Sequence, residues 1–250
     1  SYHELLSAAP PPEGRELAFE IPPGPRLGDR VLRLAGVGHS LGGRTLLRAL
    51  DLELDPHERL GVVGPNGAGK STFLRLCTGE LAPERGQILR GESLAFACID
   101  QQRSDLDPAQ SILQEVAGKN DYVKVGDRVV RIESFLDGFL FPGPRKHALV
   151  GSLSGGEKSR VLLAKLLCAG GNVLILDEPT NDLDLTTLQA LEEAIQAFAG
   201  AALIVSHDRW FLDRVATRIL YLDGRGGAEV HHGDLADLLA RVARQRAEEQ

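Results

Sequence analysis

Short, wholly apolar runs recur along this chain. Leu60-Gly-Val-Val63, Val173-Leu-Ile-Leu176, Ala202-Leu-Ile-Val205 and Ile219-Leu-Tyr-Leu222 carry no charged side chain, which predicts strands buried on both faces. Between them lie stretches with apolar residues three and four apart: Ser71 to Cys77, Ser154 to Cys168, and the stripe Leu188, Leu191, Ile195 and Phe198. These predict helices that each lay one face on a sheet. A further helix carries Trp210, Phe211 and Val215. Buried strands alternating with helices imply a mostly parallel sheet covered on both sides.

Elsewhere the pattern changes. Val31–Leu34 and Leu46–Leu54 flank the turn signal Gly42-Gly43, and Arg85–Arg90 and Ser93–Ile99 meet at Gly91-Glu92. Together they predict a small antiparallel sheet beside the core. Residues 104–150 read as a helical insertion. Ser111 to Ala117 suits a short helix, and Ile132, Phe135, Leu136 and Phe139 line one helix face before Pro142-Gly143-Pro144 ends it. From Leu235, the residues Leu238, Leu239 and Val242 predict an amphipathic helix packed on the domain. The prolines of residues 1–30 predict an extended lead-in, the end of a linker. The expected division is thus 1–30 lead-in, 31–239 α/β domain with a helical subdomain at about 104–165, and 240–250 C-terminal helical tail.

One stretch ties these elements to chemistry. Gly64-Pro65-Asn66-Gly67-Ala68-Gly69-Lys70-Ser71-Thr72 follows an apolar strand and opens a helix, the context in which G-x-x-x-x-G-K-S cradles phosphates. Its glycines clear the way for backbone N–H groups, and the helix dipole favours an anion there. Lys70 can reach the β- and γ-phosphates, and the Ser71 hydroxyl can ligate Mg²⁺. The strand Val173–Leu176 ends in Asp177-Glu178, placing two carboxylates in the crevice at the strands' C-terminal ends. Asp177 suits Mg²⁺, mainly through water, and Glu178 suits activation of a water. Ser206-His207 follows the next strand, so His207 can reach the γ-phosphate. Gln101 and Gln102 follow the strand ending at Ile99, and either amide could serve Mg²⁺ or its water. Ser154, Gly155, Gly156 and Glu157 open a helix as a capping box, yet two glycines at a helix start point to a close approach by something else. This chain's own loop already accounts for one nucleotide, so the second helix start suits another subunit's ATP.

Composition narrows the class. Hydrophobic content of 43% and charged content of 25% are those of a globular protein. No apolar run approaches the roughly 20 residues of a membrane helix, and residues 1–20 hold no signal-peptide core. The three cysteines show no C-x-x-C spacing, which suits a reducing, cytoplasmic compartment. A net charge of −7 opposes a surface that grips nucleic acid throughout but permits local basic contacts. The chain holds no methionine and starts at Ser1, so a fragment of a longer protein is expected.

In order, G-P-N-G-A-G-K-S-T, the glutamine after a strand, L-S-G-G-E, V-L-I-L-D-E-P-T-N-D-L-D and S-H-D-R resemble the nucleotide-binding domain of an ATP-binding cassette protein from about Val31 to Leu239. Glu178-Pro-Thr-Asn-Asp-Leu-Asp184, Glu157 in place of the transporter-typical Gln, and Ser206 to Asp213 resemble the ABC-F family. Ile21 to Gly28 resembles the linker end before a second cassette. The resemblance implies the fold: an α/β P-loop NTPase with a mostly parallel core sheet, a small antiparallel β subdomain and a helical subdomain. It implies ATP on Gly64 to Thr72, Mg²⁺ served by Ser71, Gln101 (preferred to Gln102) and Asp177, hydrolysis through Glu178, and His207 as a switch. It also implies that Ser154 to Glu157 contact the ATP of a second cassette, from the same parent chain or a homodimer. Asn181, Asp182, Leu183 and Asp184 would form the communication loop between them. ABC-F proteins carry no membrane domain, and many act on the ribosome, with its rRNA and tRNA. An ABC transporter's ATPase subunit is the alternative, which the Asn-Asp-Leu-Asp loop and Glu157 disfavour. A DNA-repair ATPase lacks support from heptads or cysteine pairs. One departure stands out: Leu41 occupies the place where Tyr commonly stacks on adenine, and His39 is the only nearby ring.

Overall fold

The computed structural model describes residues 21–22, 24–99, 106–125, 128–181, 183–233 and 235–248. In chain order these form β1 (Leu32–Leu41), β2 (Arg44–Leu54), β3 (Arg59–Val63), α1 (Lys70–Thr78), β4 (Arg85–Arg90), β5 (Phe96–Ile99) and α2 (Ile112–Ala117). Next come β6 (Tyr122–Val125), β7 (Arg128–Arg131), α3 (Ile132–Phe135), α4 (Gly155–Ala169), β8 (Val173–Asp177) and α5 (Leu185–Ala197). The chain continues through β9 (Ala201–Val205), α6 (Arg209–Val215), β10 (Arg218–Leu222), β11 (Ala228–His231) and α7 (Leu235–Glu248).

The centre is a six-stranded sheet in the order β11-β10-β3-β9-β8-β5. All neighbours are parallel except β11, which pairs antiparallel with β10 at the edge. The unbroken apolar strands divide their side chains between two cores. Val173 and Ile175 pack with α1, β1 and β2, whereas Leu174 and Leu176 pack with α4, α5, α6 and α7. Continuous apolarity is thus two interleaved faces, each covered. The smaller sheet, β2-β1-β4, is antiparallel and turns at Gly42-Gly43.

Two features depart from the sequence pattern. The run Ser93–Ile99 does not join the antiparallel sheet. Its β5 segment pairs in parallel with β8, Phe96 opposite Val173 and Ile99 opposite Leu176. Asn172, just ahead of β8, draws it there with backbone and side chain: the Asn172 N–H donates to Ala95 O at 2.9 Å, and the Ala95 N–H donates to Asn172 Oδ1 at 2.8 Å. The helical insertion also contains the antiparallel hairpin β6–β7. Ile132, Phe135, Leu136 and Phe139 share one buried face as expected, but the helix tightens to a 3₁₀ turn over Leu136–Phe139. It stops at Leu140, in the left-handed region at φ 60°.

Candidate functional site

The glycine-rich loop joins the end of β3 to the start of α1, in the centre of the sheet. Helices α2, α4, α5 and α6 start on Ser111, Ser154, Asp184 and Asp208, whose side chains accept hydrogen bonds from the first turn. Helix α1 starts on Gly69, at φ 101°, with no such cap. Its leading N–H groups face the loop's interior with the positive end of the helix dipole behind them, which suits an anion. A Cβ on Gly64, at φ 155°, would sit 2.2 Å from Leu222 O of β10. Gly64→Ala must therefore push the loop off β10. We expect a destabilisation of roughly 1–3 kcal/mol and at least a tenfold loss of nucleotide affinity, read by titration with a fluorescent nucleotide. Unchanged affinity would show that the loop tolerates the shift.

The polar side chains converge around this loop. Lys70 Nζ donates to Gly64 O at 3.1 Å and Pro65 O at 3.3 Å. Burial lowers the lysine's pKa, opposed by the charges of Glu178 and Asp177. Ser71 Oγ donates to Asp177 Oδ2 at 2.8 Å, across from the end of β8. Two hard oxygen donors so placed suit Mg²⁺.

Glu178 stands in the left-handed region at φ 52°, an unfavourable position for a non-glycine residue. It is pinned there. Its N–H donates to Val205 O at 2.8 Å, and the His207 N–H donates to its Oε2 at 3.2 Å. The other oxygen, Oε1, is buried without a hydrogen bond, and His207 Nε2 stands 3.4 Å away. Oε1 is therefore placed to accept from a ligand or water beside His207. Backbone strain held by neighbouring bonds, with a buried free acceptor, marks a functional site.

Sequence reasoning overlooked the support beneath it. Buried Ser206 accepts from the Asp208 N–H at 3.0 Å, and its hydroxyl lies 3.3 Å from Thr180 Oγ1. These bonds join the turn after Glu178 to the turn carrying His207. The signal was present as Ser-His-Asp, with Asp208 at capping distance from Phe211.

The start of α4 is a full capping box, with the Ser154 N–H donating to Glu157 Oε2 at 3.0 Å. A Cβ on Gly155 would meet nothing within 4 Å, and one on Gly156 only Asp184 Oδ2 at 3.8 Å. Nothing within the described chain requires these glycines. Asp184 caps α5 through Thr187 and pairs with Arg160 of α4 at 3.1 Å, while Leu183 packs on the core. Asn181 lies exposed in the turn between. Gln101, Gln102 and Asp182 lie outside the described residues. At the tip of the β1–β2 hairpin, Leu41 is 62% exposed. Nearby, Arg44 donates to Gly224 O at 2.5 Å beside the loop.

Residues 47–181 match the family model described as ABC transporter. The chain belongs to the ABC transporter family. The cassette is 45% identical over 217 residues to the energy-dependent translational throttle protein EttA of Escherichia coli (strain K12), covering 87% of this chain and 39% of that protein. It is 41% identical over 212 residues to the ATP-binding protein Uup of Haemophilus influenzae, covering 85% of this chain and 33% of that protein. Both relatives are ABC-F proteins, and the cassette spans well under half the length of either. Among solved structures, a bacterial Atm1-family ABC exporter with ATP bound superposes with a TM-score of 0.71 at 23% identity, covering 99% of this chain and 46% of that one. That likeness concerns the fold alone. Among the described residues no helix is long and apolar enough to cross a membrane.

Proposed function

We propose that this is an ATP-hydrolysing cassette of a cytoplasmic ABC-F protein that acts on the ribosome during translation. One observation carries the hydrolytic half: Ser71, the pair Asp177-Glu178 and His207, from three distant segments, meet beside an uncapped helix start. The family assignment and the identity to EttA and Uup support the rest. The lead-in through residue 30, the domain from 31 to 239 and the tail from 240 are the divisions we assign within it.

Each residue has a distinct task. Gly64 to Thr72 wrap the triphosphate, all but Pro65 offering backbone N–H groups, and Lys70 exchanges its loop carbonyls for phosphate oxygens. Ser71 and Asp177 would hold Mg²⁺, with Gln101 completing the set. When bound, the ion neutralises charge on the β- and γ-phosphates. Glu178 Oε1 orients the attacking water and accepts its proton, and His207 contacts the γ-phosphate. The free surface over Gly155 and Gly156 receives the ATP of a second cassette, and Asn181 to Asp184 report between the two. Every complete site then needs two cassettes.

The corresponding test is the dependence of turnover on concentration. The cassette alone is expected to hydrolyse ATP weakly, with a rate per molecule that rises as molecules pair. A rate per molecule independent of concentration, and equal to that of the full-length protein, would overturn the composite-site reading.

A further inference from the structure

The start of α4 carries a carboxylate where an anion is expected to dock. Both Glu157 oxygens are engaged. Oε2 accepts from the Ser154 N–H and hydroxyl, each at 3.0 Å. Oε1 accepts from Arg145 Nε at 3.2 Å and pairs with the same guanidinium's Nη2. Burial alone would push the Glu157 carboxyl up, but the bonds from Arg145 and Ser154 outweigh it and hold it below the ordinary value. The group is therefore an anion at neutral pH, and left alone it would repel a triphosphate. Of the other cations nearby, Lys146 pairs with Asp137 at 2.8 Å and Arg160 with Asp184 at 3.1 Å, while Lys158 of α4 lies exposed and leaves Glu157 to Arg145. Arg145 sits in the short 3₁₀ turn Gly143–His147, with its side chain 44% exposed. Two of its five N–H donors serve Glu157, so others remain to face an incoming anion.

We propose that Arg145 is a positioning residue for the composite ATP site: it cancels the Glu157 charge and holds that carboxylate back against Ser154, leaving the face of Gly155 and Gly156 open to the triphosphate. The assignment rests on the reading that the start of α4 meets a second cassette's ATP.

A glutamine at position 157 keeps the capping box without the charge, which makes the test direct. In the full-length protein, R145A is expected to lower kcat/KM for ATP about tenfold, with a deficit that shrinks as salt rises. R145A/E157Q should return to within about threefold of E157Q alone, because the charge that needs cancelling is gone. If the double variant stays as far below E157Q as R145A stays below the parent, Arg145 acts through the fold and the proposal fails. If R145A, E157Q and their combination all match the parent while ATP still binds the phosphate loop, the start of α4 meets no nucleotide. That result overturns the composite-site reading together with the proposal.

Discussion

Replacing Glu178 with glutamine is expected to lower ATP turnover by about 10²–10⁴-fold, the usual contribution of a positioned general base. ATP binding should survive. The amide has the carboxylate's shape, so it can still accept from the His207 N–H that Oε2 now engages at 3.2 Å. The bond from the Glu178 N–H to Val205 O, at 2.8 Å, is main-chain and does not change. What disappears is the proton acceptor. Oε1 is buried, lacks a hydrogen bond and stands beside His207, and an amide there cannot take a proton from water. Single-turnover kinetics with ATP separate the chemical step from binding. A variant that hydrolyses within a few-fold of the parent would assign the proton to another group. Loss of ATP binding would mean that Glu178 shapes the loop rather than the chemistry.

Asn172→Ala should cost about 3–5 kcal/mol, through several buried polar groups losing partners at once. Asn172 is 3% exposed and fully engaged. Its Nδ2 donates to Pro25 O at 2.8 Å and Ser93 O at 2.7 Å, while Oδ1 accepts from the Ala95 N–H at 2.8 Å. Its own carbonyl accepts from the Ala201 N–H at 3.1 Å. One side chain thus ties the lead-in to the approach to β5, and its backbone joins the starts of β8 and β9. The lead-in has no slack at this point: a Cβ on Gly24 would lie 2.4 Å from Gly171 C. For a chain of this size the loss corresponds to a Tm lowered by about 6–20 °C. Calorimetry or thermal circular dichroism reads it. A Tm within 2 °C of the parent would show that water replaces the amide's bonds without penalty.

How much of this was legible in the sequence depended on how local its cause is. The strands β3, β8, β9 and β10 were readable because burial on both faces leaves no charged residue in their interiors, only at the ends of β3, β8 and β10. The phosphate loop and the Ser154–Glu157 capping box were readable because spacing alone dictates their bonds. Pairing partners were not. The run Ser93–Ile99 announces a strand, but periodicity says nothing about which sheet takes it, and Asn172 ahead of β8 decides. The hairpin β6–β7 was hidden inside a stretch dominated by helical spacing, although Tyr-Val-Lys-Val and Arg-Val-Val-Arg fit strands once paired. Arg145 and Thr180 gave no signal for a related reason: their importance lies in partners distant in the chain, Glu157 and Ser206. The strained backbone at Glu178 has no sequence signature of its own, since it follows from where β8 ends relative to β9.

The most direct measurement is co-sedimentation of the full-length protein, carrying Glu178→Gln, with ribosomes in the presence of ATP or ADP. Without the general base, ATP should close the cassettes and hold them closed. The account predicts that the protein pellets with ribosomes in ATP and remains in the supernatant in ADP. Failure to pellet in ATP, with ATP binding demonstrated in the same preparation, would contradict action on the ribosome and leave a nucleotide-driven cassette with a different partner.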